Sequence, residues 1–460
     1  MQGINSSIGR QFKYLLSPSY NFRRQLVGKP HFNFKELEKR RDEMRKNIKE
    51  RNLSIDINID TALEKYREFG KLQYDVNCLR EAKTALSRKF SRADKEEKGK
   101  LLIEAQALKV QIQEKEDLLS QTEKLALNLA SAIPNFTHPS APIGNQETAR
   151  ELKIVNQRKY NDTNREHVEL CLQHKMVNFS SAAQVSGAKF YYLENDGALL
   201  EMALTQIAML EAVKAGFTPT LTPDVVREDV VTACGFNPRD PVHNQTFKVS
   251  FPGHPDLCLA ATSEIPLAAY NLNAIMEKQT LPSKKAGLSH CFRAEAGSTG
   301  SESRGLYRVH QFTKVELFAF TAPEDSEKIT NEILAFQERF FSSLGLHYRV
   351  LEMPTEELGA SAFQKYDIEA WLPGQNRWGE ISSTSNCTDY QSRRLNIRMP
   401  KDPKTGKVEF VHTVNGTGCA IPRIIVAIVE QYQDKDGRIA IPELLRPYFN
   451  NREFFNPANP

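Results

Sequence analysis

Residues 291–312, CFRAEAGSTGSESRGLYRVHQF, combine side chains that suit a phosphorylated nucleotide. Guanidinium groups bind phosphate oxygens bidentately, and a carboxylate accepts hydrogen bonds from an exocyclic amine or a ribose hydroxyl. Arg293 and Glu295 are two residues apart, a spacing that directs both side chains to one face of a strand. Phe312 can stack on a purine whose other side a guanidinium covers. The spacing therefore predicts a nucleotide-binding strand, although a solvated charged hairpin would show the same spacing.

The segment between these residues, GSTGSESRG, is too polar and too rich in glycine to continue a strand, and we expect a hairpin loop there. The returning strand, LYRVHQFTKVE, should place five side chains on one face: Arg308, His310, Phe312, Lys314 and Glu316. We expect the two strands to present Arg293 and Glu295 beside Phe312 and Glu316. His310 is interpreted as a structural strand residue, not a catalytic base.

A long helical segment precedes this region. Residues 33–52 read as a mixed-charge helix, and two later runs carry apolar residues at gaps of three and four: Phe69, Leu72, Val76, Leu79, Leu86 and Phe90, then Leu101, Ala105, Leu108, Ile112 and Leu119. A polar reversal at residues 91–100 separates the runs. The pattern predicts an antiparallel helical hairpin about 45 Å long.

Two uses of this arm stay open. A dimerisation coiled coil would show the same seam. A phosphate-backbone binder would explain the basic residues near the tip, which acidic Glu96 and Glu97 dilute: Arg80, Lys83, Arg88, Lys89, Arg92 and Lys95.

Residues 131–150 contain three prolines among small polar residues and are typical of a linker. The remainder has the mixed pattern of one α+β domain. It contains a predicted helix with apolar Leu200, Leu204, Ile207 and Leu210, an extended segment GFTPTLTPDVV, and a strand at residues 313–320. Two further helices are predicted, one beginning at DSEKITNEIL and a buried one within CAIPRIIVAIVEQYQ.

The bulk properties exclude some classes. No apolar run reaches the 18–20 residues or so of a membrane span. The seven cysteines form no CxxC, and the ten histidines form no HExxH. We therefore expect a reduced compartment, buried inert thiols, no disulfides and no zinc. The net charge of +4 permits an anionic partner without requiring one.

The first 35 residues lack Asp and Glu but include four serines and six basic residues: Arg10, Lys13, Arg23, Arg24, Lys29 and Lys35. This composition is typical of a mitochondrial transit peptide, removed after roughly 20–30 residues. A disordered basic tail on a cytosolic protein is the alternative.

Residues 292–318, FRAEAGSTGSESRGLYRVHQFTKVELF, resemble motif 2 of class II aminoacyl-tRNA synthetases, in the form found in seryl-tRNA synthetases. Other stretches resemble that family in the same order along the chain. GFTPTLTPDVV is similar to the end of motif 1, with Pro223 at the family's dimer-interface proline. ATSEIPL contains the Thr-Ser-Glu serine motif, residues 380–394 resemble the nucleotide and metal segment, and residues 415–431 resemble motif 3.

The resemblance implies an α+β protein. Its catalytic domain would be a class II antiparallel β-sheet with flanking helices, preceded by an antiparallel coiled-coil arm that binds tRNA. The implied division is a transit segment at 1–30, a helical domain at 31–132, a linker at 133–150 and a catalytic domain at 151–460. The implied partners are L-serine, ATP, tRNA(Ser) and a second copy of the chain, with Mg²⁺, without zinc and without a membrane.

The resemblance also implies residue roles in forming seryl-adenylate and transferring serine to the tRNA 3′ end. Arg293 and Arg423 would be catalytic, with Arg293 on the α-phosphate. Glu295 would accept from the adenine amine, Phe312 and Arg423 would enclose the ring, and Arg308 would hold the terminal phosphates.

Three residue sets follow from the resemblance. The ATP set is Arg293, Ala294, Glu295, Arg308, Val309, Phe312, Glu380, Ile381, Ser382, Ser383 and Arg423. The L-serine set is Thr262, Ser263, Glu264, Arg293, Glu316 and Thr417. Glu380 and Ser383 would coordinate Mg²⁺.

Two other functions stay open at this point. A non-catalytic paralogue could keep the fold as an RNA-binding or regulatory protein, although it would have no use for the full set of charged residues. A class II enzyme for another small amino acid would not explain the Thr-Ser-Glu stretch together with the helical hairpin.

Overall fold

The structure is a computed structural model that describes residues 27, 29–53, 57–160, 164–236, 246–252, 256–295, 305–402 and 405–456. The proposed transit segment therefore lies almost wholly outside the described residues. The α-helices in these ranges are α1 Phe34–Lys39, α2 Arg41–Glu50, α3 Ile59–Arg92, α4 Lys95–Ala132, α5 His167–Gln173, α6 Phe179–Ser186, α7 Asn195–Lys214, α8 Glu228–Ala233, α9 Glu264–Ala268, α10 Ser326–Ser343, α11 Tyr390–Leu395 and α12 Ile421–Gln431.

The strands in the same ranges are β1 Arg150–Val155, β2 Val177–Asn178, β3 Tyr192–Leu193, β4 Thr218–Leu221, β5 Val225–Arg227, β6 Lys248–Val249, β7 Leu257–Leu259, β8 Ser283–Phe292, β9 Gln311–Thr321, β10 Tyr348–Glu352, β11 Gln364–Leu372, β12 Arg377–Thr388, β13 Arg398–Asp402, β14 Lys407–Phe410 and β15 His412–Ala420. Eight of them form one sheet in the order β1-β10-β11-β12-β15-β9-β8-β4. Its pairs are antiparallel except β4 with β8.

The two long helices α3 and α4 form the predicted antiparallel hairpin. They contain 34 and 38 residues, which corresponds to about 50 Å or more of helix. Leu72, Val76 and Leu86 of α3 and Ile112 of α4 are at most 7% exposed and form the seam. The prediction of a ten-residue reversal at residues 91–100 was wrong. The turn is only residues 93–94, because Asp94 caps α4 and accepts hydrogen bonds from the next residues' backbone N–H groups.

The base of the arm is joined to the α+β part of the chain through a packed connection. The predicted helix at 33–52 is two helices, which meet at Arg40. Residues 133–135 of the predicted linker are buried. Asn135 donates to the carbonyl oxygens of Ser361 and Cys387 at 2.9 Å each. The linker is therefore an ordered joint instead of a loose tether.

The large sheet is covered on both faces. Helices α7, α10 and α12 pack against one face around Leu200, Leu204, Ile333 and Ile425. Helices α8, α9 and α11 and the small β5-β7-β6 sheet form a second core with Phe318 and Phe320 of β9. Because Glu316 shares the face of these phenylalanines, the predicted site lies under the second cover.

Most predicted elements of the α+β part are confirmed. The strand predicted at 313–320 lies within β9, and the last two predicted helices are α10 and α12. On α7, Leu200, Leu204 and Ile207 are buried as predicted, but Leu210 is 48% exposed. Six cysteines are buried free thiols, whereas Cys78 on the arm is exposed. Among the described helices, none combines the length and apolar character needed to span a bilayer.

Candidate active site

A row of facing residues crosses the centre of the sheet. Glu316 of β9 lies opposite Gly287 of β8 and opposite Thr417 of β15. The Glu316 side chain is only 3% exposed, and its Oε2 atom pairs with the ammonium group of Lys314. Among the described residues, no hydrogen-bond donor of normal geometry reaches that oxygen. A buried carboxylate oxygen with unused acceptor capacity can receive a donor from a ligand.

The Thr-Ser-Glu turn packs directly over this row because position 287 is a glycine. A Cβ atom at Gly287 would lie 2.8 Å from Leu267 Cδ1 and 3.1 Å from Ser263 Oγ. Thr262, Ser263 and Glu264 are all at most 8% exposed. The structure thus brings the turn residues that were predicted to bind L-serine close to Glu316 and Thr417.

Glu264 is a buried carboxyl with an altered acidity. Gln391 of α11 donates a 2.7 Å hydrogen bond to Glu264 Oε1. Burial, followed by the charge of Glu316, raises the pKa of Glu264 from 4.5 to about 7, while Lys314 opposes the rise. The pocket therefore holds a carboxyl that titrates near neutral pH.

Arg293 connects this pocket to an aromatic ring. Its Cζ atom lies 5.3 Å from the centroid of Phe312, and its Nε atom donates to the carbonyl oxygen of Ala261 at 3.3 Å. Phe312 and Glu316 share one face of β9 and are four residues, or about 13 Å, apart. A ligand extended along β9 can therefore contact the ring, the guanidinium and the buried carboxylate in turn.

A cavity at the Phe312 end collects six of the predicted ATP residues. Its walls are Arg293, Glu295, Leu306, Tyr307, Arg308, Val309, Phe312, Pro422 and Arg423. Ala294 lies between two wall residues and is half-buried. Arginines, one carboxylate and an aromatic ring in one cavity are the groups that a nucleoside triphosphate requires.

The local geometry differs from the predicted pair of strands. Strand β8 ends at Phe292, before Arg293, and Glu295 has a φ of +45°. Strand β9 begins at Gln311, so Arg308 and His310 precede it. The expectation that Arg293 and Glu295 share a strand face was therefore wrong. They meet at the cavity because the chain turns there.

Glu295 and His310 are held by contacts outside any strand. Arg308 Nη1 lies 3.4 Å from Glu295 Oε2. His310 Nδ1 donates to the carbonyl oxygen of Arg293 at 2.9 Å, and the His310 ring contacts Phe190 and Phe247. These contacts agree with a structural role for His310. The predicted hairpin loop is residues 297–305, and all of it except Gly305 lies outside the described residues.

Glu380, Arg423 and Tyr307 form a contact network on the far wall. Arg423 Nη1 lies 3.1 Å from Glu380 Oε2 and also donates to the Glu380 carbonyl oxygen at 3.0 Å. Its Cζ atom lies 4.7 Å from the Tyr307 ring centroid. Burial tends to raise the pKa of Glu380, but Arg423 and Lys365 outweigh it and lower the pKa to about 2. Glu380 is therefore ionised at physiological pH.

A bulge in β12 separates the remaining predicted residues. Glu380 pairs with Glu369 and Ser382 with Ile368, which leaves Ile381 as the extra residue. Ile381 is fully buried in the core, and Ser382 Oγ donates to the Thr417 carbonyl oxygen at 2.7 Å. Neither side chain is directed to the cavity, so these two members of the ATP set can contribute backbone groups alone.

Ser383, in contrast, lies opposite a buried acid. Its partner across β11 is Asp367, which is 3% exposed and has an Oδ1 atom with no hydrogen-bond donor among the described residues. Burial raises the pKa of Asp367 to about 7, although the Lys365 ammonium 2.8 Å away opposes this. Ser383 and Glu380 thus lie on successive positions of one oxygen-rich strand face.

Three residues of this site were given no role from the sequence: Tyr307, Lys314 and Asp367. Tyr307 OH donates to the Glu380 carbonyl oxygen at 3.0 Å, and the guanidiniums of Arg377 and Arg423 both contact its ring. Lys314 had a signal, since it was predicted on the same strand face as Glu316. Asp367 had no signal in the sequence, because it reaches the site only through the pairing of its strand β11 with β12, which carries Ser383.

Family models match both parts of the chain. The model described as the tRNA synthetase class II core domain (G, H, P, S and T) matches residues 247–432. The model described as the seryl-tRNA synthetase N-terminal domain matches residues 32–137, which contain the helical arm.

Curated and solved relatives extend over nearly the whole chain. A serine–tRNA ligase of Treponema denticola is 40% identical over 421 residues, 90% of this chain and 98% of that protein. A mitochondrial serine–tRNA ligase of Saccharomyces cerevisiae is 38% identical over 436 residues, 93% of this chain and 96% of that protein. The crystal structure of seryl-tRNA synthetase from Pyrococcus horikoshii complexed with ATP superposes with a TM-score of 0.85 at 31% identity, covering 93% and 100% of the two chains.

Proposed function

Because this chain belongs to the class II seryl-tRNA synthetases, it attaches serine to tRNA(Ser), and we propose how its residues divide that reaction. The serine carboxylate attacks the α-phosphorus of ATP and pyrophosphate leaves, which forms seryl-adenylate. A ribose hydroxyl at the tRNA 3′ end then attacks the seryl carbonyl carbon, and AMP leaves. The attacking group is already a carboxylate, so no general base is needed, and positioning and charge stabilisation lower the barrier. The observation that carries this proposal is the row Gly287–Glu316–Thr417, about 13 Å along β9 from Phe312.

In the proposed serine pocket, Glu316 receives the substrate ammonium or hydroxyl. The buried Thr262–Glu264 turn and Thr417 close the pocket around the side chain. Arg293 lies between this pocket and Phe312, where the serine carboxylate meets the α-phosphate, so its charge would stabilise the transition state. A pocket that bonds the hydroxyl group rejects alanine, because alanine would leave buried polar groups unpaired.

In the proposed nucleotide pocket, adenine lies between Phe312 and Arg423, and Glu295 accepts a hydrogen bond from the adenine amine. Arg308 would exchange its contact with Glu295 for terminal phosphate oxygens. Arg423 would change partners in a similar way, from Glu380 to the adenine ring. The support is that all four side chains line one cavity.

Glu380 and Ser383 are the proposed Mg²⁺ ligands, and the chemistry of these donors fits. Glu380 is ionised and 38% exposed, and Ser383 offers a hydroxyl group on the same strand face. Mg²⁺ prefers oxygen ligands and commonly takes one or two from the protein, with phosphates and water supplying the others. When bound, it would neutralise phosphate charge. Glu380 and Ser383 would hold the phosphates in register with Arg293.

We propose that the arm of α3 and α4 binds the tRNA and that 31–132, 133–150 and 151–460 are the helical domain, linker and catalytic domain. The support is the length of the arm, its basic tip and the match of residues 32–137 to the N-terminal family model. If the arm instead serves dimerisation, the arm deletion described in the Discussion would convert the protein to monomers.

We also propose a homodimer formed through α7 and β4. Helix α7 has a second apolar stripe, opposite the core, at helical spacing: Leu199, Met202, Leu210 and Val213 are each at least 45% exposed. Leu221 at the end of β4 is 78% exposed and lies two residues before Pro223. An apolar stripe of this extent on a helix is typical of an interface.

The proposed compartment is the mitochondrial matrix. Its support is the acid-free basic stretch at residues 1–35 together with mitochondrial relatives from two yeasts, although bacterial relatives are equally similar. We expect residues 1–35 fused to a fluorescent reporter to direct it to mitochondria. A diffuse cytosolic signal would contradict the proposal.

Serine-dependent exchange of pyrophosphate into ATP tests the division of labour. We expect exchange with serine, little with alanine or threonine, and loss of most activity in Glu316→Gln. The matched control is Glu338→Gln, a partly exposed carboxylate of α10 paired with Lys153 outside the site. Equal exchange by both variants would show that Glu316 is not in the serine pocket.

A further inference from the structure

Lys314 is a buried cation that the proposed division of labour leaves unused. It lies in β9 two residues before Glu316, on the same face, and its side chain is 6% exposed. Its ammonium group pairs with Glu316 Oε2, the atom proposed to receive the substrate. Burying an ammonium ion costs several kcal/mol unless a partner compensates it, so Lys314 and Glu316 depend on each other.

The pocket contains a second carboxyl group, that of Glu264, which interacts electrostatically with the same lysine. Gly287, opposite Glu316, makes room for the Ser263–Glu264 turn to reach the strand. The charge of Glu316 raises the pKa of Glu264, and the charge of Lys314 opposes it. Two carboxylates and one ammonium group therefore share one buried region.

Among the described residues, the other groups that interact with Glu264 are neutral. Gln391 of α11 and Asn415 of β15 hydrogen-bond to it. The thiols of Cys234, which follows α8, and Cys387, within β12, are also close to Glu264. Burial raises the pKa of both thiols, and the charge of Glu264 raises it further. On the side of β8, Lys314 faces the Cys291 thiol, whose pKa burial raises. Lys314 thus supplies the positive charge that balances the pair of carboxylates.

We propose that Lys314 is a positioning and specificity residue for the amino-acid substrate: it orients Glu316 and leaves the pocket with one net negative charge, which matches one substrate ammonium group. The inference rests on the proposed serine pocket. Arg293 compensates the substrate carboxylate at the other end, so a zwitterion finds an opposite charge at each end. Lys314 acts through Glu316, because its own side chain is covered.

The test compares KM values for serine and for ATP in the exchange reaction. We expect Lys314→Met to raise the serine KM by about tenfold or more at pH 7.5, and to change the ATP KM less than about threefold. Lys314→Arg should retain most of the serine affinity, because it keeps the charge. The matched control is Lys284→Met, a mostly buried strand lysine that pairs with Glu332 outside the site and should leave both KM values unchanged.

The pH profile separates positioning from a merely structural effect. In wild type, protonation of Glu264 below about pH 7 removes the net negative charge, so the serine KM should rise at lower pH. Without Lys314 the pKa of Glu264 should rise further, and Lys314→Met has one net negative charge only while Glu264 is protonated. Its serine KM should therefore rise at higher pH instead, with a midpoint at least about one unit above the wild-type midpoint. The double variant Lys314→Met with Glu264→Gln again has one net negative charge. Above the raised pKa of Glu264, where Lys314→Met has two negative charges, we expect the double variant to bind serine better than Lys314→Met alone, and we expect it to lose the pH dependence.

The outcomes distinguish the inference from its premise. If Glu316→Gln raises the serine KM but Lys314→Met does not, the role of Lys314 is refuted and the serine pocket stands. If neither variant changes the serine KM, the pocket itself is wrong. A parallel rise of both KM values without a pH shift would overturn the positioning role, and the charge-balanced double variant answers the question if Lys314→Met fails to fold.

Discussion

Individual side chains of the candidate site are paired with each other across the cavity. Arg308 contacts Glu295, Arg423 contacts Glu380, and Lys314 contacts Glu316. Each cation therefore already has a carboxylate partner, which keeps the charges fixed in place in a partly buried site. Arg293 differs, since within the part of the chain that the structure describes its guanidinium contacts a carbonyl oxygen and an aromatic face and forms no ion pair. This leaves Arg293 well suited to a new anionic partner.

Replacing Arg293 should test that conclusion directly. We expect Arg293→Ala to lower the rate of serine-dependent pyrophosphate exchange by about 100-fold or more, because the positioned charge acts where the α-phosphate changes in the transition state. Arg339→Ala, at an exposed position of α10, is the control and should keep the wild-type rate. A drop of less than threefold for Arg293→Ala would contradict the assigned role.

The raised pKa of Glu264 predicts a cost in stability. The folded state binds the proton more tightly than the unfolded state, so the free energy of unfolding falls as the pH rises from 4.5 to about 7. Glu264→Gln removes this titration. Relative to wild type, we expect it to be neutral near pH 4.5 and more stable by about 3 kcal/mol at pH 8. Urea unfolding at both pH values measures this, and a pH-independent difference would argue against a titrating Glu264.

At the scale of elements, the arm and the catalytic part meet in a polar joint. Arg51, at the end of α2, is only 1% exposed. Its guanidinium donates to the carbonyl oxygens of Phe136, Gly359 and Ala362 at 2.7–3.0 Å. One side chain thus ties the helical domain, the linker and the loop before β11 together. The direction of the arm is therefore fixed at its base by hydrogen bonds as well as by apolar packing.

Loss of this joint should weaken the whole chain. Arg51→Met would leave several buried carbonyl oxygens without donors, and we expect a loss of about 3 kcal/mol in the free energy of unfolding. Arg67→Met removes a half-exposed arginine paired with Glu38 on the same domain and should cost less than about 1 kcal/mol. Chemical denaturation of both variants provides the comparison, and equal losses would mean that the joint adds nothing.

Shortening the arm should separate the two half-reactions. Replacing residues 72–119 by a short glycine-rich turn removes the basic tip but leaves the buried base of α3 and α4. We expect serine-dependent exchange within about threefold of wild type and tRNA charging reduced by about 100-fold or more, because phosphate contacts dominate the affinity for nucleic acids. Conversion to monomers with normal charging would instead identify the arm as a dimerisation device.

At the scale of the molecule, one face of α7 packs in the core and the other is exposed and apolar. One face enters the main core through Leu200, Leu204 and Ile207, and the other presents the exposed apolar stripe. Strand β9, which carries Glu316, and strand β8, which ends one residue before Arg293, lie against the buried face, so an interface on the exposed face would support the site from behind.

A charge in the stripe should therefore disrupt association. We expect Met202→Asp, at a position 68% exposed, to shift the protein to monomers in sedimentation velocity, with unchanged helix content. Ile143→Asp, at a linker position 61% exposed, is the control and should keep the wild-type assembly. If both variants sediment like wild type, the stripe is not the interface.

The sequence by itself determined the family and the helical arm, and it proposed the site residues, because those features depend on local periodicity and on motifs a few residues long. It also placed Lys314 beside Glu316, since alternation along one strand is a local rule. Only the tertiary structure decided that Glu295 reaches the cavity through a turn, and that Ile381 faces the core at a bulge. It also decided that Asp367 lies opposite Ser383. These features depend on which strands pair and where the pairing shifts, and such long-range register is set by packing of the whole sheet.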